Sequence, residues 1–279
     1  MTSVTVRGDQ MAAEMGGLCL RSRYLTQAAI ASCPALIWIV EADLSRLEQA
    51  GKSAPQILDV INPPCERDRA RLTEQYRAFR YLFLNTESSR HYLGDEPAEG
   101  WKTWVVPHHH CNFRDWLLPE SRLAKPKVVG YLGEPCHLHD TEEIREAVEK
   151  MGMRFISIPS RELGGYQKID IGIAWTRRET QRDTTRSNIK LTNFAAHGIP
   201  SVVCDYESYR GVDRELGGIA LIRGCLKGFL EAIDQLARDE ELRRRFSRNG
   251  ANAQRLYSRQ AIAGRYQSAI DEIRRDWRN

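Results

Sequence analysis

The chain has 279 residues, 42% hydrophobic and 28% charged, a composition that excludes collagen-like, disordered and small disulfide-scaffold classes and fits two medium domains or one large one. Its 41 Lys and Arg against 37 Asp and Glu give a formal charge of +4, which suits an anionic small ligand and permits nucleic acid without favouring it. Seven cysteines with no CxxC spacing read as reduced thiols of a cytoplasmic protein, and no run approaches the length of a membrane span, so only peripheral membrane contact is left open.

Ser3–Val6 reads as a strand and Gln10–Met15 as a short helix. The runs ALIWIV (Ala35–Val40) and QILDVI (Gln56–Ile61) read as buried strands, the second stopped by Pro63 and Pro64. Tyr81–Leu84 and Thr103–Val106 complete this set, with helices expected over Ala42–Ala50 and Asp68–Ala78. Short continuous apolar runs need cover on both faces, which implies parallel strands with crossover helices. Pro107–Pro126, with three prolines and three adjacent histidines, breaks the rhythm and reads as an interdomain crossing. A long loop within one sheet is the alternative.

The rhythm then restarts. Strands are expected over Lys127–Leu132, Arg154–Ile158, Ile169–Trp175, Ser201–Cys204 and Gly218–Ile222. Helices are expected over Asp140–Lys150, capped by Asp140 or Thr141, and over Asn188–His197, ended by Gly198. Leu226–Asp239, Glu240–Asn249 and Gln260–Trp277 read as further helices. The alternation implies a doubly wound sheet in each half.

Asp170–Tyr209 is the stretch richest in chemistry. A strand ends at Trp175, a polar loop follows, and a helix starts near Ser187 or Asn188. In open α/β sheets ligands bind at strand carboxyl ends, against helix N-termini. Arg177, Arg178, Arg186 and Lys190 fall near one such end. With the N–H groups of the helix start they suit a phosphate or diphosphate, Arg as a bidentate fork and Lys as a point charge. A solvated charged loop is the other reading of the same residues. Among His108, His109 and His110, alternation along an extended chain lets at most His108 and His110 share a site. No metal or cofactor is expected.

Taken in order, Asp170–Trp175 (DIGIAW), Arg186–Lys190 (RSNIK) and the turn Ala196–Val202 resemble the C-terminal half of nucleotide-sugar-dependent glycosyltransferases of the GT-B fold, the retaining, group 1/4-like kind. TWVVPHHH (Thr103–His110) resembles the end of that family's first domain, and LGEPCHL (Leu132–Leu138) the start of its second. The resemblance is good over 170–210, weaker over 103–158 and thin over 1–100.

The resemblance implies an α/β fold of two Rossmann-like domains facing across a cleft. An abbreviated acceptor-side domain would span 1–107, a linker 108–126 and a nucleotide-sugar-binding domain 127–279, with the last helix returning to the first domain. The implied activity is transfer of a hexosyl or related group from a nucleotide diphosphate sugar to an acceptor hydroxyl, without a divalent ion. Arg178 and Lys190 carry over as diphosphate ligands and form the catalytic group with His110, which is read from the histidine run itself as a cleft residue that orients donor or acceptor, surface or packing histidines being the alternative. Gly133, Arg177, Arg178, Lys190, Asn193 and Glu207 carry over as the donor side, and Arg7, Asp59 and His108 as the acceptor side. The family's two donor-flanking glutamates fall at Thr185 and Asn193, neither of them acidic. That departure admits a catalytically silent nucleotide- or sugar-binding protein of the same fold. A DNA-directed glycosyltransferase is a further alternative.

Overall fold

The computed structural model describes residues 8–17, 35–39, 54–60, 79–87, 89–90, 101–177 and 186–279. The strand expected over Ser3–Val6 and the helices expected over Ala42–Ala50 and Asp68–Ala78 lie outside them. In chain order the described elements are α1 (Gln10–Glu14), β1 (Leu36–Ile39), β2 (Gln56–Val60), β3 (Tyr81–Leu84), β4 (Lys102–Val105), α2 (Glu120–Ala124), β5 (Val128–Leu132), α3 (Thr141–Lys150), β6 (Arg154–Ile158), β7 (Ile171–Ala174), α4 (Ile189–Ala196), β8 (Ser201–Cys204), α5 (Glu207–Glu215), β9 (Ala220–Arg223), α6 (Leu226–Arg238), α7 (Glu240–Gly250), α8 (Asn252–Leu256) and α9 (Arg259–Arg278). They divide into two compact units. One comprises Met1–His108, Thr184–Ser187 and Arg259–Asn279, the other His109–Asp183 and Asn188–Ser258.

In the first unit the strands run parallel in the order β1-β2-β3-β4. Ile57, Leu58, Leu82, Phe83 and Leu84 are all buried, so both faces of β2 and β3 are covered, as their unbroken apolar runs require. The long helix α9 supplies part of this cover. Its Ile262, Tyr266, Ala269, Ile270 and Ile273 recur at helical spacing and are buried. Tyr266 meets the Phe83 ring edge-on at 5.1 Å between centroids. Polar ties reinforce the docking: Tyr81 donates to Asp276 at 2.9 Å and the Trp104 indole N–H to Glu272 at 2.8 Å.

The second unit carries a parallel sheet in the order β6-β5-β7-β8-β9. The order reverses at β5, which pairs with β6 on one side and β7 on the other. Such a reversal opens a crevice at the strand carboxyl ends. The stretch His109–Pro126 packs into this unit. Leu118 and Leu123 share a core with Leu132, Ile158, Ile169, Phe194 and Ile199, and the Leu118 N–H donates to the His197 carbonyl at 2.9 Å. Gly198 ends α4 at φ 64°, a left-handed conformation that glycine takes without a Cβ clash.

Local expectations differ from the structure at Asp140 and at three helices, α2, α5 and α8, that were not expected. Asp140 stands at φ 52° and its carboxylate does not cap α3; that carboxylate is drawn to side chains beyond β7 instead. Helix α5 was not expected, because Gly211 and scattered charges mask a short apolar stripe of Tyr209 and Val212, continued just beyond the helix by Leu216. No helix among the described residues is long and apolar enough to cross a membrane.

Candidate functional site

The crevice at β5 is occupied from two directions. From α4, whose start faces the strand ends, comes Lys190. From the end of β5 come Tyr131, Leu132 and Gly133. The Lys190 Nζ donates to the Tyr131 phenol oxygen at 3.0 Å and to the Leu132 carbonyl at 3.2 Å. It also lies 4.3 Å from the centroid of the Tyr131 ring, within cation–π range. Gly133 makes the approach possible: a Cβ there would collide with the ammonium and lie 2.6 Å from the phenol oxygen. The turn is anchored by the Gly133 N–H, which donates to the Ile158 carbonyl at 2.9 Å. Asn188 precedes α4 without capping it, and its amide N–H donates to the Thr192 hydroxyl at 2.8 Å. Lys190, Gly133 and the start of α4, expected together, are thus brought together. Tyr131 was missed. Its only signal in the sequence is its place beside Gly130 in an apolar strand, where a core role looks the same.

Arg177, at the end of β7, is engaged differently. Its guanidinium forks onto the Asp140 carboxylate, with Nε donating at 3.1 Å and Nη2 forming the second arm. The Trp175 indole N–H donates to the same carboxylate at 2.8 Å. The Arg177 hydrogen bond is the main reason that Asp140 titrates below the ordinary carboxylate range, with burial opposing it. The stability contributed by this pair is full above the ordinary carboxylate pKa and is lost as pH falls through the depressed one. We expect Arg177→Gln to raise the Asp140 pKa in an NMR titration; an unchanged pKa would mean that Trp175 sets it instead. Arg178 and Thr185 lie outside the described residues.

Asn193 lies on the buried face of α4. Its side-chain oxygen accepts the Cys111 N–H at 2.7 Å, so its amide holds the 109–118 stretch to the helix. Cys111 itself is half-buried, and desolvation pushes its thiol pKa up to about 12. His110 is tied by both ring nitrogens: Nδ1 accepts the Asn112 N–H at 3.1 Å and Nε2 faces the Gln254 carbonyl at 3.0 Å. That pairing selects the neutral Nε2–H tautomer. Both ring nitrogens of His110 thus face backbone groups of this unit. Glu207 is exposed in the first turn of α5. Its neighbour Asp205 is held by Arg210 through two 2.5 Å hydrogen bonds.

On the first unit, Asp59 sits near the carboxyl end of β2, fully buried, and accepts the Tyr266 hydroxyl at 2.6 Å. That bond ties the sheet to α9. His108 is buried at the end of the same unit, and Arg7 lies outside the described residues. Among the described residues no three His, Cys, Asp or Glu converge as a metal site.

No protein-family profile matches the chain, and no curated protein sequence matches it. Solved structures do. A trehalose-phosphate synthase (UDP-forming) from Burkholderia vietnamiensis is similar with a TM-score of 0.59 and 12% identity, over 89% of this chain and 73% of that one. A sucrose-phosphate synthase from Thermosynechococcus elongatus gives 0.58 and 14%, over 86% and 73%. TarM from S. aureus, crystallised with UDP, gives 0.57 and 11%, over 84% and 55%. The chain therefore spans about half the length of TarM. At these identities the likeness is one of fold: two parallel sheets, each flanked by helices, in the two-Rossmann architecture called GT-B.

Proposed function

We propose that this chain is a glycosyltransferase that moves a sugar from a nucleotide diphosphate sugar to an acceptor hydroxyl, and that the donor diphosphate binds at the carboxyl end of β5 against the start of α4. The observation that carries this reading is the Lys190 ammonium, held over a glycine at the point where the strand order reverses. Glycosyl transfer builds negative charge on the leaving diphosphate as the sugar–oxygen bond breaks. A fixed cation and helix N–H groups stabilise that charge without reorganising. The leaving phosphate oxygen is itself basic enough to take the acceptor proton from the same face of the sugar, so the step requires no separate nucleophile. Arg177 contributes once its fork exchanges the Asp140 carboxylate for phosphate oxygens, which have matching geometry. A hexosyl group, a retaining outcome and a cytoplasmic site belong to the same reading.

A second reading is a binding protein without turnover. It is favoured by Asn193, which is not acidic and whose amide oxygen is committed to Cys111.

Thermal unfolding against a panel of nucleoside diphosphates and their sugars tests both readings. One nucleoside diphosphate is expected to raise the transition temperature. Lys190→Ala is expected to weaken it about 30-fold, which is about 2 kcal/mol. Release of that diphosphate from its sugar when hydroxyl acceptors are added marks the transferase; binding without release marks the silent protein. Folded protein that responds to no member of the panel would sink both.

A further inference from the structure

A lysine on a four-carbon stem is a mobile charge, yet Lys190 is held at one place. We propose that Tyr131 is the positioning residue of the diphosphate site, aiming the Lys190 ammonium at the phosphate oxygens; the inference rests on the donor site described above. Tyr131 is fully buried, so its phenol sits in a low-dielectric wall rather than in water. Its hydroxyl donates to the Glu134 carbonyl at 3.1 Å. With the proton committed there, the phenol oxygen faces Nζ as an acceptor, and the direction of the 3.0 Å bond between them is settled. The Leu132 carbonyl takes a second Nζ–H at 3.2 Å. These two acceptors hold the ammonium at the carboxyl end of β5. The Tyr131 ring face beneath Nζ adds attraction without demanding a particular rotation.

Acceptor and ring both belong to a strand, and the turn after it is anchored to Ile158. The ammonium is therefore ordered before any ligand arrives, and a diphosphate does not bear the full entropic cost of ordering it. The role is specific to the anion: a nucleoside without phosphates gains nothing from it.

The test is isothermal titration of wild type, Tyr131→Phe, Lys190→Met and the double variant. The probes are uridine, adenosine and guanosine diphosphates, the parent nucleosides and inorganic pyrophosphate. Tyr131→Phe keeps the ring and removes the acceptor. It is expected to weaken the preferred diphosphate and pyrophosphate about 5- to 10-fold, leave the nucleoside unchanged and cost nothing further in the Lys190→Met background. Equal losses in both backgrounds, equal losses for nucleoside and diphosphate, or no loss at all would overturn the positioning role while leaving the site itself standing. Wild type that binds no diphosphate would overturn both. Gly133→Ala provides a second arm that keeps the phenol group: its new methyl group would crowd both the ammonium and the Tyr131 phenol, and its diphosphate affinity is expected to fall at least as far as that of Tyr131→Phe. Unchanged affinity there would also overturn the inference.

Discussion

Arg243→Met is expected to destabilise the second unit by about 3–4 kcal/mol and to lower its melting temperature by roughly 10 °C. Arg243 is 2% exposed and has no carboxylate partner in its hydrogen bonds. Its guanidinium donates instead to four carbonyls. Leu123 accepts at 2.6 Å and Ala124 at 3.0 Å, at the end of α2; Leu236 and Ala237 accept at 2.7 Å each, at the end of α6. Helix C-termini leave their last carbonyls without intrahelical partners and carry partial negative charge. One planar cation satisfies two such ends at once. Methionine fills the volume but leaves the carbonyls unpaired, and an unpaired buried acceptor costs more than the hydrogen bond it lost. Lysine restores charge without the fork, so Arg243→Lys should recover only part of the loss. Urea denaturation followed by circular dichroism decides the matter: a variant within about 1 kcal/mol of wild type would mean that water replaces the guanidinium.

Acid is expected to weaken the same unit well before its carboxylates titrate. His197 follows α4, the helix that carries Lys190. Its Nδ1 faces the Asn193 carbonyl at 2.7 Å, and its ring stacks on Tyr166 at 4.4 Å between centroids, with Trp116 at 6.0 Å. Burial pushes its pKa down from 6.5 to about 4, with the hydrogen bond to the Asn193 carbonyl opposing the shift. The sign follows from proton counting. Below pH ~6.5 the unfolded chain takes up a proton that the native state refuses until about pH 4, so acid favours unfolding. The loss is about 1.4 kcal/mol per pH unit across that window, about 3 kcal/mol in all, and stability is flat above pH ~7 with respect to this group. Asp140 contributes only at lower pH, where its depressed pKa is crossed. His197→Gln keeps a donor for the Asn193 carbonyl and removes the titration. Its urea-derived stability should lose most of the slope between pH 6.5 and 4.5 that wild type shows; identical slopes would assign the acid sensitivity elsewhere.

The two residues bear on the donor site through the same helix. Arg243 ties the start of α7 to the segment that packs beside α4, and His197 seals the end of α4. A site that depends on where α4 begins is sensitive to both, although neither touches the crevice.

Local sequence alone determined most of the described elements, though not the helices α2, α5 and α8. Apolar runs bounded by Pro, Gly and charge mark β3, β6 and β8 at their observed ends, and α6, α7 and α9 to within a residue or two, because strand and helix periodicities are local properties of the chain. It also marked Lys190 and Gly133, since a cation at a helix start and a glycine at a strand end are recognisable singly. Their partners were decided by tertiary structure. Lys190 and Tyr131 are 59 residues apart, Arg177 and Asp140 37, Asn193 and Cys111 82, and His110 and Gln254 144. Those meetings depend on the order β6-β5-β7-β8-β9, in which β5 lies beside β7. Strand order is set by which buried faces pack together, and spacing along one chain carries no record of it. Asp140 shows the consequence most directly: by sequence it is one of two candidate helix caps, with Thr141, and in the folded unit its carboxylate turns to Arg177 and Trp175, because a charge-assisted fork and an indole N–H outweigh one backbone N–H.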